Sequence, residues 1–186
     1  VDVPIIGDCA SVLSDMIKIW NDLKPRRDAK AYAAWWSKIE KWRKRDCLRY
    51  KSSKDLIKPQ FALQRLQILT EDRDTYITTE VGQHQMWAAQ FLKFNKPKHW
   101  MTSGGLGTMG YGFPAAIGVQ IAHPKATVID VAGEASFLMN IQEMSTAMQY
   151  RLPVKIFILN NEYMGMVRQW QELLYGGRYS ESYTDS

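Results

Sequence analysis

The pattern of hydrophobic and polar positions divides the chain into three zones, residues 1–24, 25–59 and 60–186. The first zone predicts a short strand, a turn at Gly7 and Asp8, and a helix that Asp8 caps. The apolar residues of that helix share one face: Val12, Leu13, Met16, Ile17 and Trp20. Because a strand and one helix provide no second layer to cover this face, we expect this zone to be the tail of a preceding domain.

The second zone is predicted to be a basic connector that opens at Pro25 and closes at Pro59. Between Lys24 and Lys58 there are 13 Lys and Arg residues against 4 Asp and Glu, although the whole chain has a formal net charge of only +5. Its apolar residues recur at helical spacing: Tyr32, Trp35, Trp36, Ile39 and Trp42. Aromatic residues that stack on nucleic-acid bases lie among the basic ones, whereas most basic side chains here fall outside the stripe. We therefore predict a solvated linker helix with a separate buried apolar face and no nucleic-acid surface.

The third zone alternates helical patterns with short apolar strands. Helices are predicted at residues 61–69, after Gly82, at 114–122, at 137–150 and from about Met164. Strands are predicted at residues 76–79, 127–131 and 154–159, the last two buried. Continuous apolar strands separated by helices indicate a parallel sheet with helices on both faces, so the predicted fold class is α/β.

Composition narrows the class of protein further. A chain of 186 residues with 46% hydrophobic residues is too apolar to be disordered, and no apolar run approaches the roughly 18–20 residues of a membrane-spanning helix. Two cysteines, Cys9 and Cys47, form neither a disulfide framework nor a CxxC metal motif, which favours a reducing compartment. The chain begins with no Met and no signal-peptide pattern, so we expect it to be a fragment of a longer protein.

Four polar or glycine-rich loops are predicted at one edge of the sheet: residues 79–83, 103–112, 133–136 and 160–165. Ligands of open parallel sheets bind at the carboxyl ends of the strands, so these loops predict the site. Residues 105–110 also match the dinucleotide fingerprint GxGxxG, and Asp130 lies where a ribose-binding acid is expected. Alone, that match fits a tight turn before a helix as well as it fits a nucleotide-binding oxidoreductase.

Glu134 and the pair Asn160 and Asn161 follow successive predicted strands and should lie side by side. Carboxylate, amide and backbone carbonyl oxygens suit Mg²⁺, which is often completed by phosphates and water. Glu134 alone would more readily be an acid that meets the dipole of a helix N-terminus. Its pairing with the two asparagines favours the metal.

Gly133-Glu134-Ala135 followed by Asn160-Asn161 resembles the thiamin-diphosphate motif, usually written GDG, a spacer and NN. The resemblance implies a thiamin-diphosphate-binding fold, incomplete at both ends of this chain. Three longer segments narrow the family: TEVGQHQMWAAQ at 79–90, the loop at 102–112 and NNEYMGMVRQWQ at 160–171. They resemble the catalytic large subunit of acetohydroxyacid synthase, also called acetolactate synthase, from about residue 60 to residue 183 and more weakly over the first 24 residues.

The family implies roles for individual residues. By resemblance, seven residues would contact the cofactor: Gln83, His84, Gly107, Met109, Gly133, Ala135 and Ser136. Gln83 and His84 would donate to the diphosphate, the Gly107 carbonyl would accept from the aminopyrimidine, and the Met109 side chain would wedge the cofactor into a bent form. Mg²⁺ would be held by Glu134, Asn161 and the Tyr163 carbonyl, and the substrate pocket by Met166, Val167 and Trp170.

Two of these assignments carry a reservation. Glu134 stands where Asp is usual, and its extra methylene moves the carboxylate outward, which puts metal affinity in question. The spacing of Met166, Val167 and Trp170 would also arise from ordinary packing of a helix face.

The resemblance implies a transferase of branched-chain amino-acid biosynthesis (valine, isoleucine and leucine). It would decarboxylate pyruvate on thiamin diphosphate and transfer the two-carbon unit to a second 2-keto acid, pyruvate or 2-ketobutyrate. It implies FAD in the full-length flavoprotein, a homodimer or tetramer, a small regulatory subunit, and a location in the bacterial cytoplasm or in a plastid. No nucleic-acid or membrane partner is expected.

The same resemblance divides the chain into domains. Residues 1–24 would be the end of a central FAD-binding-type domain, 25–59 the basic helical linker, and 60–186 the cofactor domain, truncated at its C-terminus. The glutamate that activates the cofactor is expected upstream, so no catalytic residue is assigned here and the chain alone is expected to be inactive.

Two alternatives to the synthase stay open beside the oxidoreductase. A sister enzyme such as pyruvate oxidase or glyoxylate carboligase would share the metal motif but differ around residues 166–170. A non-catalytic cofactor-binding module is the other.

Overall fold

The computed structural model describes residues 1–24 and 28–184. The chain divides into two compact units, Val1–Arg49 and Tyr50–Ser186. Pro25, predicted to open the connector, lies outside the described residues. Within the described ranges, no helix is long and apolar enough to cross a membrane.

In residues 1–24 and 28–49, the first unit forms two helices, α1 (Cys9–Leu23) and α2 (Ala29–Arg43). The predicted cap of α1 is confirmed, because the Asp8 carboxylate accepts a hydrogen bond of 3.0 Å from the Ser11 N–H. Asp28 caps α2 in the same way, with its carboxylate accepting from two backbone N–H groups of the first turn.

Two predictions for this unit are wrong. Residues 1–6 form no strand in the described structure, since the unit offers no neighbouring strand to satisfy their backbone groups. The aromatic stripe of α2 is not buried: Trp35 and Trp36 are 52% and 53% exposed, and neither helix buries a residue. Two short helices cannot exclude water from apolar faces of this size.

As far as the structure describes it, to residue 184, the second unit contains four parallel strands: β1 (Thr75–Thr79), β2 (Trp100–Thr102), β3 (Thr127–Ala132) and β4 (Lys155–Ile158). Their order across the sheet is β2-β1-β3-β4. This arrangement confirms the predicted parallel α/β fold. Strand β2 was not predicted, because three residues are too few to display a period.

The described residues of this unit also form six helices: α3 (Pro59–Thr70), α4 (Gln83–Phe91), α5 (Gly112–Ala122), α6 (Glu134–Leu138), α7 (Met144–Gln149) and α8 (Gly165–Leu174). The alternation of side chains along the strands separates two apolar clusters. Ile77 and Ile129 pack with residues of α3 and α4 on one face, whereas Tyr76 and Val128 pack with α5 on the other. Both faces of the central strands are therefore covered.

The predicted continuous helix at residues 137–150 is interrupted. A 3₁₀ turn at Ile141–Glu143 lies between α6 and α7. Asn140 leaves the helical conformation, and its Nδ2 donates a hydrogen bond of 2.6 Å to the Gly110 carbonyl. A contact with the glycine-rich loop thus outweighs local helix propensity here.

Strand β4 was predicted as buried, and this is also wrong. It pairs only with β3, and both of its end residues, Lys155 and Ile158, are exposed. The strand has a hydrogen-bonded neighbour on one side only, because in the described structure it is the edge of the sheet.

Gly112, the first residue of α5, lies against two buried acids. Its N–H donates a hydrogen bond of 3.1 Å to Oε2 of Glu80, which follows β1. A Cβ atom at this position would collide with the carboxyl oxygens of both Glu80 and Asp130. The absence of a side chain therefore allows the helix to begin directly beside the pair of acids.

We expect Gly112→Ala to destabilise the second unit by about 1–3 kcal/mol, because the added methyl group must displace buried carboxyl groups. Gly118→Ala is the matched control in the same helix, since no atom lies within 4 Å of a Cβ there. That change should stabilise the unit by about 0.5–1 kcal/mol. Urea unfolding checks both values, and equal effects of the two substitutions would contradict the expectation.

Candidate functional site

The loops after the four strands converge on one cavity of about 170 Å³. Residues from each loop line it, which agrees with the rule that parallel sheets bind ligands at the carboxyl ends of their strands. Of the residues predicted for the site, twelve line this cavity: Gln83, His84, Met109, Gly133, Glu134, Ala135, Ser136, Asn161, Tyr163, Met166, Val167 and Trp170. Gly107 does not.

Gln83 connects three walls of the cavity from the start of α4. Its Nε2 donates a hydrogen bond of 3.1 Å to Oε1 of Gln169 in α8. Its Oε1 accepts from Nδ2 of Asn161 at 3.3 Å. A Cβ at Gly165 would crowd both Gln83 and Asn161, so the side chains can meet only because Gly165 has none.

His84 is buried, with 5% of its surface exposed, against the backbone of the glycines that line the cavity. A Cβ at Gly133 would lie 2.9 Å from His84 Nδ1, and one at Gly82 would collide with the ring. Both glycines therefore create the space for the imidazole. On its other side, Nε2 lies 3.2 Å from Oε1 of Glu80. The two atoms are close but misaligned, so within the described residues neither has a hydrogen-bond partner.

Glu80 and Asp130 form a buried pair of acids that the sequence analysis did not identify. Glu80 is 1% exposed and Asp130 is inaccessible to solvent. Thr78 Oγ1 donates to Asp130 Oδ1 at 3.1 Å, across the pairing of β1 and β3. This enclosed position rules out the ribose-binding role that the GxGxxG alternative required of Asp130.

Burial raises the pKa of Asp130 to about 8, and the nearby Glu80 charge adds to the shift, while the hydrogen bond from Thr78 opposes it. Asp130 thus keeps its proton at neutral pH. A neutral acid beside Glu80 avoids placing two like charges in the interior.

Glu134, Asn161 and Tyr163 line the cavity and between them carry oxygens of three kinds: carboxylate, amide and backbone carbonyl. Glu134 is 6% exposed. Hard cations such as Mg²⁺ prefer an all-oxygen set of this kind, so the residues fit the ion. Among residues 1–24 and 28–184 no group of three or more His, Cys, Asp and Glu could hold a metal. An ion here would therefore depend on the amide and the carbonyl as well as on the one carboxylate.

The second glycine of the usual GDG motif is Ala135 in this chain. It lies in α6, which begins at Glu134. Alanine favours the helical conformation more than glycine does, so the replacement is compatible with the backbone at this position.

The glycine-rich loop contributes Met109, which is partly buried and lines the cavity. Gly107 has a φ of +72°, a conformation that L-residues rarely adopt, and it is exposed. A Cβ on Gly107 would lie 3.5 Å from the Val81 side chain, which does line the cavity. The loop thus adjoins the site at both residues, while only Met109 reaches into it.

Helix α8 contributes an apolar wall to the cavity with Met166, Val167 and Trp170. Trp170 remains 50% exposed and Val167 41% exposed. These side chains border the cavity without being packed into the core, so simple core packing does not account for them.

Thr184 is a further site residue that the sequence gave no reason to single out. Its Oγ1 donates a hydrogen bond of 3.0 Å to Oε1 of Glu134, fifty positions earlier in the chain. No local pattern indicates a contact over that separation.

A comparison of the chain with models of protein families shows to which family it belongs. The model of the thiamine pyrophosphate enzymes, C-terminal TPP binding domain, matches residues 80–186. The chain therefore belongs to the thiamine pyrophosphate (thiamin diphosphate) enzyme family. The matched part contains every residue that lines the cavity.

Individual relatives are more specific. The chain is 49% identical over 185 residues to the acetolactate synthase isozyme 3 large subunit of Escherichia coli (strain K12), and 52% identical to the acetolactate synthase large subunit of Buchnera aphidicola subsp. Schizaphis graminum. Each alignment covers 100% of this chain and 32% of the relative. The large subunit of Porphyra purpurea is 49% identical over 181 residues, which are 97% of this chain and 30% of the relative.

The resemblance to acetolactate synthase large subunits is thus confirmed, over a chain that spans about a third of their length. Among solved structures, the thiamine diphosphate-dependent 4-hydroxybenzoylformate decarboxylase of Rhodococcus jostii RHA1 is similar, with a TM-score of 0.67 and 25% identity. The superposition covers 74% of this chain and 26% of that one. The predicted thiamin-diphosphate-binding fold is confirmed.

The raised pKa of Asp130 predicts a pH dependence of stability. Between the ordinary aspartate value, about 4, and about 8, the folded protein keeps a proton that the unfolded chain releases. The free energy of unfolding therefore falls as pH rises through this interval and levels off above it. Asp130→Asn, which has no such proton to lose, should show a smaller decline between about pH 6 and 8 and greater stability than the wild type at the upper end.

Urea unfolding at several pH values measures this difference. Asp72→Asn, at an exposed position, is the control and should keep the wild-type slope. A decline that is the same in the wild type and in Asp130→Asn would contradict the assignment.

Proposed function

We propose that the protein containing this chain is an acetolactate synthase that decarboxylates pyruvate and transfers the two-carbon unit to a second 2-keto acid, pyruvate or 2-ketobutyrate. The observation that carries the proposal is the identity of about half of all residues, along the whole chain, with acetolactate synthase large subunits. The cavity supports it, because the motif residues from four separate loops line one space.

The diphosphate end of the cofactor would be bound at the start of α4 and α6. Gln83 can donate from its amide, and the helix N-termini present free backbone N–H groups to an anion. Glu134, Asn161 and the Tyr163 carbonyl would hold Mg²⁺ between the protein and the diphosphate. When bound, thiamin diphosphate supplies an electron sink for breaking the carbon–carbon bond beside a 2-keto group.

The remaining side chains would orient the reactants and exclude water. Met109 supplies a flexible apolar surface against which a ring can rest. Trp170 and Val167 form an apolar wall at the open side of the cavity, a suitable surface for the alkyl group of the second 2-keto acid. His84, held between two glycines, would contribute a ring nitrogen beside the diphosphate.

The small volume of the cavity supports the proposal that a second protein surface completes the cofactor site. About 170 Å³ is small against the roughly 300–1,000 Å³ of typical cofactor sites. A second protein surface would therefore cover the rest of the cofactor and supply the activating glutamate, as expected of a homodimer or tetramer. FAD, the small regulatory subunit, and a location in the bacterial cytoplasm or an algal plastid belong to the same proposal.

The domain assignment is likewise part of the proposal. Residues 1–24 would end a central FAD-binding-type domain, 25–59 would link it, and 60–186 would form the cofactor domain. The exposed apolar faces of α1 and α2 are consistent with such a context, because elements of this kind are normally covered.

The test is an assay of the full-length gene product with pyruvate, thiamin diphosphate and Mg²⁺. We expect acetolactate to form. Release of acetaldehyde alone would favour a simple decarboxylase, and an oxidised product would favour a sister oxidase. Failure to bind thiamin diphosphate at all would contradict the proposal.

Glu134→Gln should lower the affinity for Mg²⁺ by about 100-fold or more, since residues that merely support metal ligands already contribute 10–100-fold. The charge of the only carboxylate in the proposed ligand set is lost, whereas its shape is kept. Glu71→Gln, an exposed position next to α3, is the control and should bind as the wild type does. Calorimetric titration with Mg²⁺ in the presence of thiamin diphosphate measures the change, and unchanged affinity in Glu134→Gln would contradict the metal assignment.

A further inference from the structure

The segment formed by residues 180–184, here called the tail segment, folds back against the loop that carries Asn161. The Met164 N–H donates to the Ser182 carbonyl, and the Thr184 N–H donates to the Glu162 carbonyl, both at 2.8 Å. Ser182 is 2% exposed. The backbone on both sides of Tyr183, from the buried serine to Thr184, is therefore fixed relative to the loop.

Side chains strengthen this attachment. Tyr163 and Tyr183 lie opposite each other in this antiparallel backbone pairing, and their rings meet edge to face with centroids 5.1 Å apart. Gln171 Nε2 donates to the Ser180 carbonyl at 2.9 Å. The Arg168 guanidinium lies 4.1 Å from the centroid of the Tyr163 ring. The tail segment is thus anchored to both the loop and α8.

This anchoring brings one hydroxyl group to Glu134, a residue that lines the cavity. Thr184 Oγ1 donates to Glu134 Oε1 at 3.0 Å. Glutamate has one more rotatable bond than aspartate, the residue usual at this place in the GDG motif. A glutamate carboxylate therefore has more orientations available, and ordering it on ion binding costs more conformational entropy.

We propose that Thr184 is a positioning residue that orients the Glu134 carboxylate for the divalent cation. This inference rests on the proposed cofactor function of the site. The hydroxyl holds one carboxylate oxygen and so fixes the direction of the other. Groups that support metal ligands commonly orient them in this way. The tail segment thereby compensates for the longer acid of this chain.

The test measures Mn²⁺ binding to the full-length gene product with thiamin diphosphate present, by the electron paramagnetic resonance signal of free Mn²⁺. Thr184→Val removes the hydroxyl and nearly preserves the shape, so we expect the Mn²⁺ affinity to fall by about tenfold. Thr184→Ser keeps the donor and should restore most of the affinity.

Thr146→Val is the matched control. Thr146 Oγ1 donates to Glu143 Oε2 at 2.9 Å, a hydrogen bond of the same kind between residues that do not line the cavity. Its loss should leave Mn²⁺ binding unchanged. Comparable loss of affinity in this control would show a general effect on folding and would overturn the proposal.

A double-mutant cycle gives the sharpest result. In a Glu134→Asp background the shorter carboxylate is withdrawn from Thr184, so adding Thr184→Val should change the Mn²⁺ affinity little. Equal effects of Thr184→Val in both backgrounds would overturn the proposal, because the two side chains would then act independently.

The outcomes also separate this inference from the function on which it rests. If the wild-type protein binds neither Mn²⁺ nor thiamin diphosphate, the proposed function fails. If it binds both and Thr184→Val binds Mn²⁺ equally well, only the positioning role fails. If Thr184→Val does not fold, Thr184→Ala is measured in its place, with the same loss expected and rescue by Thr184→Ser still required.

Discussion

The buried Glu80 carboxylate, at the end of β1, is the contact on which the geometry of the cavity depends. One of its oxygens accepts from the first residue of α5, and the other faces His84 in α4. It thereby joins the two helices that follow the neighbouring strands β1 and β2. Two acids can lie side by side in the interior because Asp130 stays neutral, its pKa being raised by burial. The glycine-rich loop and the cavity wall are consequently held in fixed relation by a carboxyl group that is 1% exposed.

Local sequence patterns were sufficient to predict the elements that are surrounded by the same environment on all faces. Strand β3 is buried on both faces, and a strand of that kind must be a continuous apolar run whatever its neighbours are. The convergence of the loops followed from topology, because parallel strands bring their carboxyl ends to one edge. Patterns failed where a distant partner decides the outcome. The side chain of Asn140 bonds to the Gly110 carbonyl at the point where the predicted helix is interrupted. The apolar strand β4 lies at the edge of the sheet because it pairs only with β3 in the described structure.

The residues of the candidate site likewise fall into those that the sequence predicted and those that it did not. Glu134 and Asn161 were found because their residue types and their places after successive strands imply oxygen ligands, and the motif resemblance extended the set to Met109 and Trp170. Glu80 and Thr184 were missed for a physical reason. A buried acid looks like any surface acid in sequence, and a hydroxyl acquires its role only from the side chain that it reaches. Gly107 shows the converse, since it belongs to the right loop without lining the cavity.

The long separations across the cavity have a consequence for how the domain is made. Gln83 bonds to Gln169, 86 positions later, and Glu134 to Thr184, 50 positions later. Contacts between residues so far apart close late, because the entropy of the intervening loop must be overcome first. During synthesis the strand β1 and its loop therefore leave the ribosome well before the residues that complete the pocket. The contact between Glu134 and Thr184 can form only after residue 184 has been synthesised, and until then the Glu134 carboxyl group lacks this partner.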